Sequence, residues 1–280
     1  MYRKVFANKI FERKVVMVSG GCAGIGRALV LRFAQAGARL VILDLEQDAL
    51  DSLVQHLKDH HNVDALGFCC DVADVERVEH CVTQAIGQFG GIDVLINNAG
   101  VTHRSTFADT TLDVFRRIMD INYFGAVHCT HAALPSLIER HGQVIVMSSL
   151  SGFSPLLYRS AYNASKHALH GLFETLRCEL AGSGVGVMLV CPGFTATDLR
   201  KNALVGDASI SAQPPLAMGK VASAQEVAEA IYRAAVKRKR LLVMSNVDWR
   251  ARLLARYFPR MFERVLLPRM SGVRRSSSGL

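Results

Sequence analysis

The sequence predicts an α/β protein: a doubly wound parallel sheet of about seven strands in one domain, with a helical extension at the C-terminus. Three observations predict it. Short runs such as Val15-Val16-Met17-Val18 and Val144-Ile145-Val146-Met147 recur along the chain, apolar at every position, as strands buried on both faces are. Longer stretches with apolar residues at helical spacing separate them, so strand and helix alternate. Glycines, asparagines, carboxylates and hydroxyls fall just after the runs, at the strand ends where parallel sheets bind ligands. With 280 residues, 50% of them hydrophobic, the chain can bury one large core. The expected division is a lead-in over 1–14, the α/β domain over 15–246, and a basic extension and tail over 247–280.

The first strand runs into Ser19-Gly20-Gly21-Cys22-Ala23-Gly24-Ile25-Gly26 and then into Arg27 to Phe33, which has helical spacing. Glycines there allow a tight turn and let a pyrophosphate approach the amides of a helix N-terminus, the Rossmann-type arrangement. Gly37 closes that helix, and Arg39 to Leu43 forms a second strand ending at Asp44. A carboxylate about twenty residues past the turn can accept both hydroxyls of an adenosine ribose. The same charge repels a 2′-phosphate, and no Lys or Arg stands at Ala23 or Leu45 to receive one, so NAD is favoured over NADP. Asp44 is also placed to cap a helix from Leu45 to Leu57, and it could do both.

Ala65 to Cys70 reads as a third strand closed by Asp71-Val72, which could receive the adenine amine and its flat face. Val75 to Phe89 is helical, and Val94-Leu95-Ile96 leads into Asn97-Asn98-Ala99-Gly100. Leu112 to Leu134 reads as one long helix ending before Pro135, with Asn122 inside it; an asparagine there is ordinarily solvated or mildly unfavourable. A fifth strand, Val144 to Met147, precedes Ser149, and Tyr162 to Leu180 is helical. Val187 to Val190 is a sixth strand stopped by Pro192-Gly193, with Thr195 and Thr197 beyond it. A substrate lid over about 194–220, weakly periodic and carrying two adjacent prolines, is followed by a helix from Ala224 to Lys237 and a last strand from Leu241 to Met244.

The stretch from Ser149 to Lys166 holds the most chemistry. Tyr162 and Lys166 are four apart, so on a helix both side chains leave one face and a cation stands beside a phenol. A tyrosine titrates near 10, and lowering that by roughly three units takes about 4 kcal/mol of preference for the phenolate, much of which a neighbouring ammonium can supply. Tyr162 would then serve as general acid or base. Ser149, at a strand end beside the same helix, could hydrogen-bond the substrate oxygen that Tyr162 protonates. Taken alone, Y-x-x-x-K on a helix is more often a surface pair.

The order and spacing of these short motifs together are far more specific. From about Val15 to Met244 the chain is similar to the short-chain dehydrogenase/reductase family, on the strength of the glycine turn, Asp71, Asn97 to Gly100, Asn122, Ser149, Tyr162 with Lys166, and Pro192-Gly193. The resemblance implies that Tyr162 exchanges a proton with the substrate oxygen while a nicotinamide exchanges a hydride with the same carbon. Ser149 would orient that oxygen, and Lys166 would depress the tyrosine pKa and bond the nicotinamide ribose. Asn122, in Ile121-Asn122-Tyr123-Phe124-Gly125, would hold a water beside Lys166. The implied cofactor contacts are Gly20, Gly24, Ile25, Gly26, Asp44, Asp71, Val72, Asn98, Ala99, Gly100, Tyr162, Lys166, Pro192, Gly193, Thr195 and Thr197, with no metal. Ser19 departs from the commoner threonine but keeps the hydroxyl. A homodimer or homotetramer, formed through the helices carrying Asn122 and Tyr162, is also implied.

The expected activity is NAD-dependent interconversion of a secondary alcohol and a ketone. Phe153, Tyr158 and Phe194, with Leu156, Leu157 and Leu199, would line the substrate side beside Ser149 and Tyr162, which suits a hydrophobic substrate such as a steroid, retinoid or acyl chain. His103 and Arg104, after Gly100, could add a polar contact there, but read more readily as a solvated pair. Two alternatives stand beside this: an NADPH-dependent 3-oxoacyl reductase, and a nucleotide-sensing, non-catalytic binding module.

The net charge of +9 belongs to the tail, where twelve Lys/Arg face two acids from Lys237 onward. Trp249, Leu253, Leu254, Tyr257, Phe258, Met261, Phe262, Val265 and Leu266 recur at helical spacing there. Arg252, Arg256, Arg260 and Arg264 repeat on another face, and Pro259 splits the stretch in two. The span 249–267 suits an anionic membrane surface, the substrate entrance or a sister subunit. Nucleic acid is not expected, since no reading element accompanies the charge. Arg274 to Gly279 reads as disordered. No apolar run approaches a membrane span, the N-terminus lacks the pattern of a secretory signal, and the seven cysteines show no C-x-x-C pair, so a cytoplasmic protein is expected.

Overall fold

A strand buried on both faces must send alternate side chains into two separate cores, and β1 does so. Val16 and Val18 point into one core, Val15 and Met17 into the other. The computed structural model describes residues 10–193, 204–209, 221–244 and 253–266. Its strands are β1 (Val15–Ser19), β2 (Arg39–Asp44), β3 (Ala65–Cys69), β4 (Val94–Asn97), β5 (Gln143–Met147), β6 (Gly186–Cys191) and β7 (Leu241–Val243). They form one sheet in the order β3-β2-β1-β4-β5-β6-β7, and every pairing is parallel. The order reverses between β1 and β4, which opens a crevice at their carboxyl ends.

Helices α1 (Gly24–Ala34), α2 (Gln47–His61) and α7 (Ala224–Val236) cover one face; α3 (Val75–Phe89), α5 (Gly125–Glu139) and α6 (Ser160–Glu179) cover the other. On the first face Phe11, Phe33 and Tyr232 pack edge to face at centroid distances of 5.0 to 5.4 Å. Helix ends follow local chemistry. Asp74 caps α3 by accepting from Arg77 N at 3.0 Å. Ser223 and Glu226 form a reciprocal capping box on α7.

One predicted helix differs. The stretch from Leu112 to Leu134 is α4 (Leu112–Met119), a π-helical turn over Asp120–Phe124, and α5, which continues through Pro135 to Glu139. Pro135 lies on the exposed side, while Ala133, Ser136 and Leu137 beside it are buried. Their burial outweighs the one missing hydrogen bond. The π turn adds a residue and swings Asn122 into the interior, where it is 1% exposed rather than solvated.

All seven cysteines are free thiols, four of them buried. Among the described residues no helix is long and apolar enough to cross a membrane. Phe194, Thr195, Thr197 and Leu199, most of the expected lid, Trp249, Arg252 and the stretch 274–279 lie outside the described residues.

Candidate active site

The carboxyl ends of β1 and β4 are joined through Ser19. Its hydroxyl accepts from Asn98 N and Ala99 N, each at 3.1 Å, while Asn98 Nδ2 donates to Ser19 O at 3.0 Å and Gly20 O at 2.8 Å. The serine hydroxyl thus ties the two strand ends together. Backbone here passes so close that side chains are excluded: a Cβ on Gly26 would lie 1.9 Å from Gly20 O. Gly20 and Gly24 also hold positive φ, 64° and 51°. The first turn of α1 has no acidic residue, and its N-cap, Ala23, offers no side-chain hydrogen bond, so the amide-bearing end is open to an anion. Ile25 packs against the core behind the turn.

Asp44 ends β2. Its carboxylate accepts from Cys22 N in the glycine turn and from Leu45 N, both at 2.8 Å. It does not cap α2, whose N-cap is Glu46. A carboxylate has about four acceptor positions, so the two bonds leave capacity for ribose hydroxyls. Burial, with the neighbouring Asp44, pushes the Cys22 thiol up to about 12. Asp71, beyond β3, is exposed and accepts from Ala73 N at 2.9 Å. Val72 is buried against Gly125, where a Cβ would meet it at 2.5 Å. These residues fit a dinucleotide: a side-chain-free turn, an uncapped helix end and a carboxylate at the next strand end.

The second half of the site follows β5. Ser149 N-caps the 3-10 turn Leu150–Gly152 and accepts from Ser151 N at 3.2 Å. Tyr162 and Lys166, one turn apart on α6, are both buried. Lys166 Nζ donates to Met147 O at 2.8 Å and stands 5.7 Å from the centre of the Tyr162 ring. Burial lowers the Lys166 pKa to about 8. Asn122 Oδ1 accepts from Val101 N at 2.8 Å; its Nδ2 donates to Val101 O at 2.9 Å and to Ser165 Oγ at 3.0 Å. Ser165 in turn donates to Tyr162 O at 2.9 Å. Gly100 lies against the Asn122 amide, and Pro192 and Gly193 follow β6 at the same sheet edge.

Burial raises the Tyr162 pKa above its ordinary value, and a hydrogen bond with Ser149 and the positive charge of Arg159 oppose that rise. The Lys166 ammonium, 5.7 Å from the ring centre, is directed at the Met147 carbonyl. Arg159 lies just before α6 and donates to Thr102 Oγ1 at 3.1 Å.

The solvated reading of His103 is corrected. It is fully buried rather than solvated, both ring nitrogens lack hydrogen-bond partners, and it packs near Phe115. Burial, with the Arg159 charge, lowers its pKa to about 4. Residue 204 seals it, since Leu204 N donates to Thr102 O at 2.9 Å and Leu204 O accepts from Arg104 N at 2.8 Å. On the substrate side Phe153 packs with Leu150, Phe262 and Leu254 and meets the His170 ring edge-on at 6.2 Å. Tyr158 is partly exposed at φ 63°, and its carbonyl accepts from Ser105 N at 3.1 Å.

Arg159, Thr102 and the burial of His103 had no motif to announce them, whereas Ser165 carried a signal as the neighbour of Lys166 one turn from Tyr162.

The profile of the family described as short chain dehydrogenase matches residues 14–206. A protein of Mus musculus, dehydrogenase/reductase SDR family member 7B, is 34% identical over 285 residues, spanning 99% of this chain and 88% of that protein. Among solved structures, a short-chain dehydrogenase from Streptomyces avermitilis has a TM-score of 0.78 at 29% identity, covering 90% of this chain and 96% of that one. A short chain dehydrogenase/reductase from Burkholderia phymatum, crystallised in complex with NAD, has a TM-score of 0.79 at 26% identity, covering 90% and 95%.

Proposed function

The chain belongs to the short-chain dehydrogenase/reductase family and is an NAD(P)-binding oxidoreductase, and from that premise we propose that it interconverts a hydrophobic secondary alcohol and its ketone with NAD. The carrying observation is the convergence of Ser149, Tyr162 and Lys166 at the sheet edge that also holds the glycine turn and Asp44.

A bound nicotinamide supplies the hydride chemistry at the carbinol or carbonyl carbon. In the oxidative direction Tyr162 Oη takes the hydroxyl proton; in the reductive direction it returns a proton to the carbonyl oxygen. Ser149 Oγ holds that oxygen, and the Arg159 charge favours the phenolate against the burial that opposes it. Lys166, protonated below about 8, keeps a positive charge beside the site. Asn122 pins the backbone at Val101 and, through Ser165, the first turn of α6. Asp44 favours NAD, because a 2′-phosphate would meet its charge. The intact set of Asn122, Ser149, Tyr162 and Lys166 weighs against a purely nucleotide-sensing role.

The test is to offer NAD and NADP with a panel of hydrophobic secondary alcohols and follow the absorbance of reduced nicotinamide. The reading expects turnover with NAD and a marked gain in NADP use on Asp44→Ala. A strong preference of the parent for NADP contradicts it. Assembly as a homodimer or homotetramer belongs to the same proposal and is read from the mass in solution.

A further inference from the structure

The segment over 253–266 has two sides with different fates. On one, Phe262 is 1% exposed and seated on Leu150, in the turn that follows Ser149, with Phe153, Leu254 and Ala255 around it. The C-terminal segment is therefore fixed against the substrate side of the site. On the other, Leu253, Tyr257, Phe258 and Met261 remain 42 to 69% exposed, among exposed Arg256, Arg260 and Arg264 and a single acid, Glu263. Large apolar side chains rarely stay in water together without a partner.

We propose that this face docks on an anionic lipid bilayer, its aromatic and aliphatic side chains entering the headgroup boundary while the arginines meet the lipid phosphates. The charge argues for this occupant, since the chain is close to neutral before Lys237 and carries twelve Lys/Arg against two acids from Lys237 onward. An acidic protein or a nucleic acid would answer the arginines but leave Leu253 and Met261 unserved; a bilayer answers both. Docking there holds the segment that covers the Phe153 side of the site at the lipid surface, close to where a hydrophobic alcohol or ketone would be dissolved. That advantage rests on the proposed reaction, whereas vesicle binding is read without turnover and stands or fails separately.

The experiment is flotation of the full chain with phosphatidylcholine vesicles, with and without phosphatidylserine, at low and high salt. The parent is expected to float with the anionic vesicles and to be released by salt. Arg256→Glu, Arg260→Glu and Arg264→Glu should each weaken binding about fivefold or more, and Tyr257→Ser with Phe258→Ser should abolish it, all with the parent's unfolding midpoint because these side chains are exposed. Failure of the parent to float at low salt overturns the proposal. So does equal binding to neutral vesicles, preferential binding to an oligonucleotide at the same salt, or a solution mass that falls in the serine variant, which would assign the face to a second copy of the chain.

Discussion

At the amino edge of the sheet Asp93 is buried yet fully served: Val15 N donates to it at 2.8 Å, Lys14 at 3.0 Å and Arg140 at 3.2 Å. Burial alone would raise its pKa, but these donors hold it below the usual carboxylate range. At the carboxyl edge Tyr162, Lys166 and His103 are equally buried, and each is pushed toward its neutral form. The same low-dielectric interior thus gives opposite results, decided by whether partners favour the charge. One edge partners its charge fully, and the other makes the charged forms of its groups costlier than they are in water.

That contrast can be broken at either edge. The largest effect is expected at Lys166: Lys166→Met should cut turnover by about 10²- to 10⁴-fold while leaving the unfolding midpoint near the parent's, because it removes a buried amine held only by a carbonyl. At the other edge Asp93→Ala should cost about 3 kcal/mol in denaturant unfolding, since two cations lose their buried partner, with turnover per folded molecule unchanged. Activity lost there in proportion to Lys166→Met would erase the distinction between the edges.

His103 sharpens the comparison through pH. The unfolded chain protonates an imidazole near 6.5 and the folded one near 4. Stability is therefore full above pH 6.5 and falls as pH is lowered toward 4, by about 2–3 kcal/mol at most from this group. His103→Leu should flatten that part of the curve relative to the parent. The smallest effect is expected of Arg159→Gln, which removes a charge that favours the phenolate; the pH at which alcohol oxidation rises should move upward, with stability little changed.

The central strands were legible because parallel strands buried on both faces read as unbroken Val/Ile/Leu runs. The glycine turn was legible because backbone contact leaves no room for a Cβ. Pro135 misled because helix continuation there is decided by the burial of Ala133 and Leu137, which no local rule sees. The π turn at Asn122 and the sealing of His103 by Leu204 depend on contacts between distant segments, as does the nearness of the Arg159 charge to Tyr162. Ser149, Tyr162 and Lys166 could be read in order, but the added influence of the Arg159 charge on the phenol could not.

The most direct test compares Tyr162→Phe with the parent in two readouts, dinucleotide binding by fluorescence titration and turnover of the alcohol identified by the screen. The account predicts unchanged dinucleotide affinity and turnover lower by at least about a hundredfold. Turnover equal to the parent's, with binding intact, would contradict the assignment of the proton to the Tyr162 hydroxyl.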